Sequence, residues 1–261
     1  MGSRIEYSVF TKPWKSPLPE LAGFVKSLGF DGVELPVRPG YQVEPQDVVK
    51  GLPAAQRIMA DRGLRIYSVA GPVDERTIAV CAECGVPVIR ICVGIDDDGY
   101  LATEARLQRQ YDELVPVLDH YKVTLGIQNH CDRNICNAMG LKHLIDRYDP
   151  HQIAAVWDAA HNALNGEDPE MAIEIIWSHL CMVNLKNAYW QRVNGPEAEQ
   201  AEWRPYWTLG RHGLASWPRV TAELKRRAYS GVICLPAEYS DEGAVDRLIA
   251  EDIVYAKALM Q

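Results

Sequence analysis

Short apolar runs alternate along this chain with longer segments whose apolar residues recur every three to four positions. The short runs read as buried strands and the longer segments as amphipathic helices. Strands are predicted near Ile5–Phe10, Gly32–Leu35, Arg65–Ala70, Val88–Val93, Thr124–Gln128, Ile153–Trp157, Met182–Lys186 and Val232–Leu235. Helices are predicted near Pro19–Ser27, Pro45–Arg62, Glu75–Cys84, Ala102–Tyr121, Ala138–Arg147, Pro169–His179, Trp217–Arg227 and Gly243–Met260. Gly29, Gly63 and Gly85 each precede a strand, where a left-handed residue ends the preceding helix.

Strict alternation with apolar strands implies a parallel sheet covered by helices. Eight repeats predict one α/β domain, a (β/α)₈ TIM barrel over residues 1–261. An open doubly wound sheet is the alternative. It usually carries a Gly-rich phosphate loop after the first strand, and SVFTKPWKSP has none. One connection breaks the rhythm. Residues 187–213 show no helix pattern, yet carry Trp190, Trp203, Tyr206 and Trp207. So many large aromatics argue for a folded flap, a lid or an aromatic wall for a ligand rather than disorder.

Composition narrows the function. The chain has 261 residues, 48% hydrophobic and 24% charged, which suffices for one large core. A net charge of −8 without a basic stripe argues against a nucleic-acid surface. No apolar run reaches membrane-spanning length, and MGSRIEYSVF has no apolar leader segment. Seven irregularly spaced cysteines fit a reduced, cytoplasmic protein. Cys81 and Cys84 form a CxxC inside a helical pattern and read as two small helix residues.

Polar residues gather at the ends of predicted strands, in GIQNH, AVWDAAH, CMVNLKNAY and LPAEY. In a barrel these ends share one mouth, where catalysis sits. Gln128 and His130 fall on one strand face, as do Asn184 and Lys186. Asp158 ends the sixth strand with His161 three residues on, Glu238 follows the eighth, and Glu34 ends the second. Glu34 could instead pair with Lys12 or Arg38. Arg211 and His212, in LGRHG, read as surface residues or an anion contact. Asp96, Asp97 and Asp98 read as a solvated loop. His143 and His179 sit in helix patterns, and His120 and His151 face solvent.

FDGVEL, the WDxxH of Trp157–His161, the LKxA of Leu185–Ala188 and the AEY of Ala237–Tyr239 resemble the xylose isomerase-like TIM barrels over nearly the whole chain. That family includes sugar isomerases, ketose 3-epimerases, inosose dehydratases and endonuclease IV. The resemblance implies a divalent metal held at Gln128, Asp158, Asn184 and Glu238. Gln128 stands where the family has Glu, and Asn184 where it has His. An all-oxygen set with two carboxylates suits a hard ion, Mn²⁺ or Mg²⁺, over Zn²⁺. His130, on the face of Gln128, is placed to stand in for the missing imidazole.

Gln128 accepts no proton, so epimerisation by two carboxylates is not expected. Glu238 is then the expected base, His161 orients the substrate or donates a proton, and Lys186 stabilises a developing oxyanion. Glu34, His130, Trp190, Trp207 and Arg211 are the candidate substrate contacts. The expected activity is proton transfer next to a carbonyl of a sugar or cyclitol, by an isomerase or epimerase. The alternatives are a dehydratase or lyase on a keto-sugar or inosose, and a non-catalytic sugar-binding barrel. An endonuclease is set aside, since it needs a His-rich multi-zinc site and a basic groove. The expected partner is a small carbohydrate, with no nucleic acid and no membrane, and a homo-oligomer is left open.

Overall fold

The computed structural model describes residues 5–261. Residues 1–4, part of the stretch read above for a leader, lie outside the described residues. Seven parallel strands come first: β1 (Glu6–Phe10), β2 (Gly32–Pro36), β3 (Arg65–Ala70), β4 (Val88–Cys92), β5 (Thr124–Gln128), β6 (Ile153–Asp158) and β7 (Leu180–Asn184). Next, β8 (Asn187–Arg192) and β9 (Trp203–Thr208) pair as a separate antiparallel ribbon. Finally β10 (Val232–Leu235) enters between β7 and β1 and closes the barrel. Among the described residues this is a single closed (β/α)₈ barrel, as the alternation predicts.

The helices are α1 (Leu18–Ser27), α2 (Val48–Asp61), α3 (Glu75–Glu83), α4 (Tyr100–Tyr121), α5 (Ala138–Ile145), α6 (Ala159–Leu164), α7 (Pro169–Ile176), α8 (Trp217–Arg226) and α9 (Val245–Met260). Gly29, Gly63 and Gly85 do terminate helices, with φ of +83°, +64° and +67°. Helix α6 was not predicted, because six residues carry too little periodicity. Its signal was local: the Asp158 carboxylate caps it by accepting from the amides of Ala160 and His161.

Strand residues alternate between two cores. Val9, Leu35, Leu125, Ile127, Trp157 and Leu235 belong to the large core shared with helix residues such as Leu52, Leu141 and Ile253. Phe10, Ala70, Val156, Met182 and Cys234 form a separate small cluster. A buried ion pair is also present. Glu34 is fully buried and accepts from Arg90 Nε at 2.6 Å. Its partner is thus neither Lys12 nor Arg38. A carboxylate this deep needs a cation at the same depth, and Arg90, in the middle of β4, supplies it.

The 187–213 connection is the ribbon plus a tight corner. Asn187 Nδ2 donates to the carbonyls of Gly210 and Ala215, both at 2.8 Å, and Asn187 Oδ1 accepts from the amide of Ala215. A Cβ on Gly213 would fall 2.0 Å from Asn187 Oδ1, so this glycine is required by packing. Asp252 of α9 completes the corner, accepting from the Gly210 amide at 2.9 Å and the Tyr239 hydroxyl at 2.8 Å.

Burial raises the Asp252 carboxyl from 3.8 to about 6, against the lowering effect of those hydrogen bonds. A folded value above the unfolded one means stability present below pH 3.8 and lost as pH rises through about 6. Asp252→Asn should therefore raise the unfolding free energy at pH 8 by about 1–3 kcal/mol, with the gain vanishing below pH 4. Urea denaturation of both proteins at the two pH values measures it.

Candidate active site

Parallel register brings the predicted strand ends level. Asp158 pairs with Asn184 across β6 and β7, Asn184 with Cys234 across β7 and β10, and Gln128 with Cys92 across β4 and β5. A cavity of about 650 Å³ opens beside them, lined by Lys12, His130, Lys186, Trp207, Glu238 and Tyr239 among others.

Glu238 organises this cavity. It follows Ala237, a non-glycine residue held at φ +55° where the chain bends off β10. Each carboxylate oxygen meets one ammonium: Oε2 accepts from Lys186 Nζ at 2.7 Å and Oε1 from Lys12 Nζ. Burial alone would raise the Glu238 carboxyl, but the two lysines bring it down to about 2. A carboxylate so held is a weak base. Lys186 is buried, and its ammonium also lies 3.7 Å from the centroid of the Trp207 ring, a cation–π contact. Trp207 is pinned there because Ser240 bonds both its amide and its carbonyl.

The two histidines have different proton states, fixed by their neighbours. The Cys131 amide donates to His161 Nδ1 at 3.0 Å, so the neutral ring carries its hydrogen on Nε2. Burial, then the charge of Lys186, lower the His161 pKa well below the ordinary imidazole range. His161 is therefore a neutral donor. His130 is the reverse. Its Nδ1 lies 2.9 Å from the Cys131 carbonyl, which only accepts, so Nδ1 carries a hydrogen and the lone pair of the neutral ring falls on Nε2. The two rings stack with centroids 4.0 Å apart.

His130, Cys131 and His161 each bring one ligand atom within 4.8 Å of the others, a grouping that could hold a metal ion. A metal there would have to displace the proton of the Cys131 thiol, which burial and then Asp132 push up to about 12. His161 Nε2 carries a hydrogen in its present hydrogen-bond arrangement.

The other expected metal positions are arranged as follows. Gln128 donates its Nε2 to Asp158 Oδ2 at 2.9 Å, turning its amide hydrogens toward the place of a cation. Asp158 Oδ1 is engaged as the cap of α6. Both Glu238 oxygens hold lysines. Asn184 Oδ1 alone is buried without a partner. One free amide oxygen is a poor fit to Mn²⁺ or Mg²⁺, which demand several oxygen donors.

Three candidate contacts lie away from the cavity. Glu34 is tied to Arg90 as described above. Trp190 donates its indole N–H to the Leu164 carbonyl at 2.9 Å, packing the ribbon onto α6. Arg211 stacks on Tyr255 of α9, 3.7 Å from the ring centroid. Asp96 and Asp98 pair with Arg106, and Asp97 with Arg133, at exposed positions. Lys12 is the cavity residue that sequence reasoning placed elsewhere. The signal was present, since Lys12 follows the end of β1 just as Lys186 follows the end of β7.

A family model described as xylose isomerase-like TIM barrel matches residues 22–259. No curated protein sequence matches the chain. Among solved structures, D-psicose 3-epimerase from Clostridium cellulolyticum H10 superposes with a TM-score of 0.74 at 12% identity, over 98% of this chain and 99% of that one. A probable 3-DHS dehydratase of petrobactin synthesis from Bacillus anthracis gives 0.72 at 15% identity, over 96% and 98%. A 3-keto-D-glucoside 4-epimerase from E. coli gives 0.74 at 12% identity, over 98% and 100%. No helix among the described residues is long and apolar enough to cross a membrane.

Proposed function

The chain belongs to the xylose isomerase-like TIM barrel family, and from that premise we propose that it is an enzyme moving a proton next to the carbonyl of a sugar or cyclitol, in the manner of an isomerase or epimerase. The observation that carries this is the pairing in one cavity of a proton acceptor, His130 Nε2, with the buried cation of Lys186. Proton removal beside a carbonyl leaves electrons on the carbonyl oxygen, so both groups are needed at once. Because the donor set does not suit Mn²⁺ or Mg²⁺, no step is assigned to a metal.

In this reading the substrate lies against Trp207, whose indole offers an apolar face to a sugar ring. His130 Nε2 takes the proton from the carbon beside the carbonyl. The electrons of that C–H bond move to the carbonyl oxygen, and Lys186 stabilises the resulting enolate. His161 donates through Nε2–H to a substrate oxygen and fixes its position. Glu238, being a weak base, holds Lys186 in place instead of taking the proton. The proton returns from His130 to the neighbouring carbon, or to the same carbon after the substrate shifts.

The named relatives act on keto-sugars and on 3-DHS, which supports a carbonyl substrate. The dehydratase among them keeps elimination as the second reading. Lys12, half-exposed at the cavity, is an acid able to protonate a departing hydroxyl. Incubation with a panel of keto-sugars and inososes in D₂O, followed by proton NMR, tests both. Deuterium beside the carbonyl is expected. Loss of water with a new conjugated absorbance would favour elimination. Ligand-induced quenching of tryptophan fluorescence with no exchange on any panel member would favour a non-catalytic binding barrel.

A further inference from the structure

We propose that the two lysine ammoniums of the cavity, Lys12 and Lys186, supply the charge of a divalent ion, and that the site works without a metal. The inference rests on the proton-transfer reading above and specifies its electrophile.

The argument begins with charge. Asp158 and Glu238 bring two negative charges to the mouth, and Lys12 and Lys186 bring two positive ones. These four formal charges cancel. A divalent ion added among these residues would leave two uncompensated positive charges in a largely buried place, where charges interact strongly. To take Glu238 as a ligand, the ion would have to compete with the ammonium on whichever oxygen it bound.

Orientation adds to this. Lys186 is at once bonded to Glu238 and seated on Trp207. It thus gives Glu238, one of the expected ligands, the positive partner that a bound cation would supply. Gln128 completes the pattern, since an amide donor to Asp158 satisfies that carboxylate without a metal. The same three features explain one another. Charge lost at Gln128 needs less positive charge nearby, and an ammonium on a tethered stem provides a fixed amount of it. For catalysis the exchange gives a cation that cannot dissociate and that can donate an N–H to an enolate oxygen.

The test uses the full chain, treated with chelator and dialysed, without substrate. Mn²⁺ is titrated while water-proton relaxation and tryptophan fluorescence are recorded. The wild-type protein is expected to show no saturable binding up to about 1 mM Mn²⁺, a concentration at which a protein site of ordinary affinity would fill. The variant Lys186→Met with Gln128→Glu is expected to bind Mn²⁺ at least 100-fold more tightly than wild type. Circular dichroism confirms its fold. Should that variant misfold, Gln128→Glu with Lys12→Met takes its place, with a gain of at least 10-fold expected. Stoichiometric Mn²⁺, Mg²⁺ or Zn²⁺ in the wild type, lost on Asp158→Asn, would overturn the proposal. Stoichiometric metal lost on Cys131→Ser would overturn it too, by moving the cation to the His130, Cys131 and His161 group. Folded charge-restored variants without any gain in affinity would likewise overturn it. Because binding is read without substrate, these results stand apart from the proton-exchange experiment, whose failure would instead remove the catalytic reading.

Discussion

Lys186→Met is expected to lower kcat by about 10²–10³-fold, the usual effect of removing one preorganised stabiliser of a developing oxyanion. The ammonium is buried, so its field acts on the substrate oxygen with little screening by water. Methionine keeps the length and the apolar stem, so the contact with Trp207 survives while the charge goes. KM should change much less than kcat, because a neutral carbonyl gains less from the cation than an enolate does. Lys186→Arg should recover part of the rate. Steady-state kinetics on the substrate found by the exchange panel reads all three quantities. An undiminished kcat in Lys186→Met would remove the lysine from the reaction. Glu238→Gln supplies the complementary result. It should also lose activity, because Lys186 would then have no fixed anion to hold it.

His130→Asn is the second large effect. Positioned general bases contribute about 10²–10⁴-fold, and loss of that order is expected in kcat. Asparagine retains a donor toward the Cys131 carbonyl, so the local turn should persist, but it offers no basic nitrogen to the cavity. Added imidazole should restore part of the activity, since the truncated side chain leaves room beside His161. Proton exchange in D₂O should fall in parallel with turnover. His161→Asn provides the contrast. In the proposed reaction its Nε2–H orients the substrate and takes no proton, so imidazole should not rescue it. Equal rescue of both variants would contradict the division of roles.

The fold was legible because its signals are local and repeated. Each strand is a short apolar run, and helix ends such as Gly29, Gly63 and Gly85 carry their own stop residue. Where the signal was brief or of mixed character, the reading missed. Helix α6 is six residues long, and the ribbon of β8 and β9 mixes aromatic and polar residues without a regular alternation. Strand-end placement also identified Gln128, Asp158, Asn184, Lys186 and Glu238 as neighbours, since parallel strands share a C-terminal face.

Partners within that face were another matter. The sequence put Glu34 at a strand end, but only closure of the barrel set it against Arg90, 56 positions away. Lys12 and Glu238 stand 226 positions apart and meet because β10 lies beside β1. The proton states of His130 and His161 depend on the amide and carbonyl of one intervening residue, Cys131, and on how the chain folds back over it. By itself, then, the sequence determined the repeat, the barrel and the set of residues brought to its mouth, because periodicity and strand polarity are encoded residue by residue. Tertiary structure decided which charges pair and which nitrogen stays free, because hydrogen bonds and burial depend on neighbours distant in the chain.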